Sequence, residues 1–164
     1  MKLQELINQT ELDMTVNQVK AFFLGAMTAE RALSFSKALD EILDQSPEAK
    51  GVLETEFKRL WDQVQINKVN ELQHLFSANA NLKEFLLEAK DQLDFYLTAL
   101  SLSGTNVESC KNEELGDLID ELEDAVMDLD EYLSEDSPNA SEGMELKEML
   151  METWQNFIKK IIKQ

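Results

Sequence analysis

Glycine and proline are scarce in this chain, at five and two of 164 residues. No segment alternates strand-forming side chains with polar ones. The shortage removes most of the turn chemistry on which hairpins depend, so helices are expected throughout. A single cysteine, Cys110, excludes an internal disulfide, which suits a reducing compartment, the cytoplasm by default. A single histidine, His74, excludes zinc sites built from several imidazoles. The first ten residues lack the basic start and apolar run of a secretory signal. The most apolar stretch near the start, residues 19–27, is far too short to span a bilayer. Basic residues are the other shortage: 15 Lys and Arg face 33 Asp and Glu, a net charge of -18. Nucleic acid phosphates and anionic lipid headgroups would both be repelled, so neither nucleic acid nor membrane is an expected partner. A basic protein is.

What is present is a hydrophobic fraction of 43%, ordinary for a globular protein, arranged with helical periodicity. A chain this long fits one domain over residues 1–164 and should bury roughly 70% of its unfolded surface. Leu3, Leu6 and Ile7 suggest a short opening helix. Thr15 and Gln18 have the form of a capping box ahead of a helix running through Phe22, Phe23 and Met27. Gly25 in its middle marks either close packing or a break. Thr28 is placed to cap a further helix over residues 29–43, either separate from or continuous with the previous one. Ser46-Pro47 starts the next, with Ser as the cap and Pro at the first helical position. Its stripe of Leu53, Phe57, Leu60, Trp61 and Val64 falls out of phase with Val69, Leu72, Leu75 and Phe76, which predicts a kink or break at residues 65–68. Asn79 or Asn81 caps a helix carrying Phe85, Leu93, Tyr96 and Leu97, and Gly104 ends it. Asn112 caps the next, with Leu115, Leu118, Ile119, Leu122, Val126, Leu129 and Leu133 as its stripe. Ser141 is expected to cap the last, with Leu146, Met149, Leu150, Trp154, Phe157, Ile158 and Ile161 inward and Lys159, Lys160 and Lys163 at the favourable end of the dipole. The expected fold is all-α, a single-domain irregular bundle of about six helices.

The charge is concentrated. Residues 112–146, the acidic helix and the loop after it, hold 14 acids and no Lys or Arg. Three readings compete: a solvated face opposite a buried stripe, a surface for a basic partner that relieves the self-repulsion, and a divalent cation site. The cation reading fails by motif. From Asp128 the third loop position is Asp130, but the fifth is Tyr132 and the sixth Leu133, where an EF-hand needs a ligand and a glycine. Glu71 and His74 have the Glu-x-x-His spacing of di-iron bundles, but that site needs a second histidine. Cys110 paired with His74 is the minimum for thiol catalysis, and nothing local to either supports it. No Walker loop, dinucleotide fingerprint or Gly-x-Ser-x-Gly elbow occurs. No catalytic residue, metal ligand or cofactor is therefore assigned.

The partner-binding candidates are Asp117, Asp120, Glu121, Asp124, Asp128 and Glu131 on the acidic helix, together with Phe22 and Phe23. Adjacent helical residues point about 100° apart. Phe22 and Phe23 are thus both buried only if their helix is central; otherwise one of them faces a partner or a second copy of the chain.

The segment from Thr15 through Phe22-Phe23 to Gly25 resembles the opening helix of the YgfB-like branch of the YecA family of bacterial proteins. Lys20 and Ala21 stand where that family has His-Gly. Residues 89–102, 112–136 and 145–157 resemble its apolar helix, acidic helix with acidic loop, and final helix, in the same order. The resemblance implies an all-helical fold and supplies no catalytic residues. The expectation for function is a non-enzymatic interaction or regulatory module that binds a basic partner through the acidic helix, with a homodimer as one form it can take. The alternatives are a chaperone holding a secreted or unfolded client, and a carboxylate- or metal-dependent enzyme.

Overall fold

The computed structural model describes residues 2–44, 46–76 and 81–162. They form eight helices: α1 Leu3–Gln9, α2 Val16–Thr28, α3 Phe35–Ile42, α4 Pro47–Ile66, α5 Lys68–Gln73, α6 Leu82–Leu102, α7 Glu113–Leu133 and α8 Ala140–Ile162. The all-helical class is as expected. The count is corrected from about six to eight, because two stretches that can be read as continuous are each divided. The chain leaves α2 at Ala29, whose φ of -61° and ψ of 155° are extended, and Ser34 opens α3 by accepting a hydrogen bond from Lys37 N. Thr28 therefore caps nothing; its hydroxyl turns back to the Leu24 carbonyl at 2.7 Å. The second division falls at Asn67, between α4 and α5, inside the segment where the apolar stripes lose phase.

Most predicted helix ends are in place. Thr15 and Gln18 form the reciprocal capping box. Pro47 occupies the first turn of α4, but the Ser46 side chain makes no capping bond. Asn81 caps α6 through Glu84 N; Asn79 and Lys163 lie outside the described residues. After α6, Gly104 has a φ of 83°. Its N–H and that of Thr105 return to the Ser101 and Leu100 carbonyls, the paired bonds of a Schellman stop. Asn112 caps α7 through Leu115 N. At α8 the cap is Asn139, not Ser141: the Asn139 side-chain oxygen accepts from the N–H groups of Ser141 and Glu142, so α8 starts earlier than expected.

The buried apolar residues of all eight helices make one contiguous cluster. Its centre is the α2–α6 contact, made possible by Gly25, whose missing side chain lets α2 rest on the Tyr96 carbonyl and Ala99 of α6. On one side of that pair α4 packs on α1, α2 and α3; on the other α6 packs on α7 and α8. Each side has an aromatic nucleus. Phe23 sits edge-on to Phe35, Phe57 and Trp61, with centroids 5.1–6.2 Å away. Trp154 contacts Phe76, Tyr96 and Phe157 at 5.2–5.3 Å. These separations are typical of favourable ring pairs. The Trp154 indole N–H also donates to the Leu72 carbonyl at 2.8 Å, tying α8 to α5.

Both members of the Phe22-Phe23 pair are inside, at 4% and 0% exposure. That corrects their assignment to a partner surface. Phe23 belongs to the α4-side aromatic nucleus, while Phe22 lies three residues before Gly25, on the part of α2 that meets α6. With neighbours on two sides, a helix buries side chains 100° apart. No helix among the described residues is long and apolar enough to cross a membrane.

Candidate functional site: the acid-walled groove between α7 and α8

α7 has a core side and a solvent side, with Leu118, Val126 and Leu133 half-buried between them. Leu115, Ile119, Leu122 and Leu129 are buried, while Asp117, Asp120, Glu121, Asp124, Asp128 and Glu131 are exposed. The helix forms because an apolar residue returns every three or four positions and Asn112 satisfies an orphan N–H at its start. It is oriented by what that stripe must cover, α6 on one flank and α8 on the other.

α8 runs antiparallel to α7. Tyr132, near the end of α7, donates its hydroxyl proton to the Asn139 carbonyl at 2.9 Å and closes the turn. A Cβ at Gly143 would strike the Tyr132 phenol, so glycine is what lets its hydroxyl end approach the first turn of α8. The two helices do not meet along their full outer edge. A depression of about 260 Å³ remains, lined by Glu121, Asp124 and Asp128 on one wall and by Ala125, Leu129, Leu146, Met149, Leu150 and Thr153. Towards the other end of the pair a second, more open depression is lined by Asp117, Leu118 and Asn156 with Lys159 and Lys160. There Lys160 pairs with Glu114.

The structure thus sorts the six acidic candidates. Asp117, Glu121, Asp124 and Asp128 are spaced i, i+4, i+7 and i+11, which places them on one face within about 60°. Glu121, Asp124 and Asp128 line the first depression and Asp117 the second. Asp120 and Glu131 lie further round the helix and line neither. Among the described residues, α7 makes two ion pairs, Lys160–Glu114 and Lys90–Asp130, and the four carboxylates of this row make none. Met149 is the residue that sequence reading missed, because it reads as one more inward position of α8. It is 60% exposed, beside the acidic wall.

Self-repulsion on α7 registers at Glu123. Desolvation pushes its carboxyl above the usual carboxylate range, and the neighbouring Asp120 and Asp124 push it further. Asp91 on α6 is raised too, chiefly by desolvation, with Asp94 and Asp13 adding and Lys90 opposing. A carboxyl whose folded-state pKa is raised binds protons more readily when folded, so stability increases as pH falls from neutral towards the raised values. The melting temperature is expected to be higher at about pH 5 than at pH 7 at equal ionic strength, in the window just above ordinary carboxylate titration. Glu123→Gln should raise the pH 7 value and shrink the difference. A melting temperature that stays flat or falls on acidification would remove this account.

The other reactive side chains, His74 and Cys110, do not line the groove. His74 is exposed at the end of α5, with Nδ1 2.9 Å from the Asn70 carbonyl. Cys110 precedes α7, donates to the Asn112 carbonyl at 3.4 Å, and has its thiol pKa raised, mainly by burial. That is the wrong direction for a reactive thiolate. Among the described residues, no group of three or more His, Cys, Asp and Glu side chains is placed to hold a metal ion. The molecule is thus an all-helical protein whose distinctive surface is an anionic groove with an apolar floor. No family model matches the sequence, no curated protein matches it, and no solved structure matches the fold.

Proposed function

We propose that the protein is a non-enzymatic interaction or regulatory module that binds a basic protein partner through α7. The observation that carries this is the row Asp117, Glu121, Asp124 and Asp128, four exposed carboxylates without an ion pair among the described residues. Like charges so arranged repel one another in the free protein, and a cationic partner relieves that repulsion as it docks. A resemblance to the YgfB-like branch and a cytoplasmic location belong to the same reading, the first resting on the order of the sequence segments and the second on the single Cys110.

The test is capture of partners from the native cell at two salt concentrations. Partners held at about 50 mM salt should be released near 1 M, where the screening length has fallen to about 3 Å. Asp117→Lys/Asp124→Lys/Asp128→Lys should not hold them at either concentration. If the reversed protein, shown by circular dichroism to be folded, retains the same partners, α7 is not the docking surface.

A further inference from the structure

The groove beside the carboxylates specifies more than charge. Its floor is largely apolar, made by Ala125, Leu129, Leu146, Met149 and Leu150, with Thr153 its one hydroxyl. Its α7 wall carries Glu121, Asp124 and Asp128. On α8, Glu145 and Glu152 stand at i-4 and i+3 from Met149, so they share its face of the helix and are exposed. Acidic residues therefore flank the apolar strip on both sides. The one lysine on the first two turns of α8, Lys147, is drawn away to lie over the Phe85 ring at 4.6 Å. The strip alongside Glu121 to Asp128 extends over seven residues, about 10 Å at 1.5 Å per residue, or two helical turns; beyond it, next to Asp117, the α8 wall carries Lys159 and Lys160.

We infer that the α7–α8 groove is a docking site for a basic amphipathic helix that lays about two turns in it, with apolar residues along one edge and Lys or Arg on both flanks of that edge. This rests on the proposed role of α7 and adds the shape of what binds. A flat basic surface would satisfy the carboxylates and leave Met149 in water; a helix laid between α7 and α8 covers the apolar floor and meets both acidic rims. Met149 suits such a contact, because a flexible thioether adapts to different apolar side chains. A second copy of this chain does not suit the groove, since each copy brings a net charge of -18.

The experiment uses the full chain and two synthetic peptides of about fourteen residues, three to four turns long, with identical Lys and Leu composition. One places Leu at i, i+3, i+4 and i+7; the other is scrambled so that no apolar edge exists. Binding is read by calorimetry and by the methyl resonances of the methionines. The amphipathic peptide is expected to bind about tenfold more tightly than the scrambled one and to shift Met149 but not Met127, which is exposed on a different face of α7. Met149→Ser should weaken it about fivefold, the effect of withholding roughly half of a methionine burial. Asp124→Asn/Asp128→Asn should weaken both peptides. Equal binding of the two peptides with no effect of Met149→Ser overturns the groove and leaves the acidic surface standing. No binding of either peptide at low salt overturns both. A shift centred on Met127, or a dimer in sedimentation with the groove methionine buried, also overturns the helix-in-groove inference.

Discussion

Replacing Trp154 with alanine should destabilise the protein by about 4–6 kcal/mol, the largest single-site effect expected in the chain. Trp154 is fully buried, packed against Phe76, Tyr96 and Phe157. Truncating a buried aromatic side chain costs about 3–5 kcal/mol in lost transfer energy and residual cavity. Its N–H also donates to the Leu72 carbonyl, which otherwise keeps a long bond from Leu75 N at 3.4 Å, and losing the indole hydrogen bond adds about 1 kcal/mol. Against a total stability of about 5–15 kcal/mol, the alanine variant can unfold outright. Trp154→Phe then serves as the second measurement. It keeps most of the apolar volume and removes the hydrogen bond, and should cost about 1–3 kcal/mol. Chemical denaturation followed by circular dichroism reads both. An alanine variant within about 1 kcal/mol of the parent would show that α8 does not pack on α5 and α6 as described.

Gly25→Ala should destabilise by about 2 kcal/mol, although alanine is the better helix former by about 1 kcal/mol. A Cβ at position 25 would stand 2.8 Å from the Ala99 Cβ and press on the Tyr96 carbonyl. Those are backbone and near-backbone atoms of a long helix, which yield only if α2 and α6 move apart. Overpacking of this kind typically costs about 1–3 kcal/mol or more, so the clash outweighs the propensity. The same substitution at Gly51 should have the opposite sign. Gly51 lies in α4 with nothing within 4 Å of its would-be Cβ, and Gly51→Ala should stabilise by up to about 1 kcal/mol. If both glycines respond alike in denaturant melts, the close approach of α2 to α6 is wrong.

The contrast between those two glycines shows how far the chain can be read without its fold. Both lie inside helical segments, and nothing local distinguishes them. Thr28 is similar: a hydroxyl ahead of an apolar run has the look of a cap, yet the segment after it is extended and Thr28 stays at the end of α2, where the Tyr96 hydroxyl meets it at 2.6 Å. Because the Thr28 proton goes to the Leu24 carbonyl, Tyr96 is the donor in that pair. A partner 68 residues away decided the role of Thr28. Asn139 displaced Ser141 as the cap of α8 for a related reason: Tyr132 binds the Asn139 carbonyl and holds the turn where its side chain reaches the first free N–H groups.

The candidate site divides in the same way. The acidic row on α7 is visible from spacing alone, because carboxylates and leucines interleaved at helical intervals have one stable arrangement in water. Phe22 and Phe23 were a poor guide to the surface, because whether a helix is enclosed on two sides depends on its neighbours. Met149 was invisible as a surface residue because its burial depends on how closely α8 approaches α7.

The helical class, most helix starts and stops, and the concentration of charge on one helix follow from the order of residues, since each depends on contacts within a few positions along the chain. The separation of α2 from α3, the closeness of α2 to α6, the enclosure of Phe22 and Phe23, and the groove with Met149 on its floor arise only when distant segments meet. Those features depend on which helices are neighbours and how near they come, and no short-range pattern carries that information.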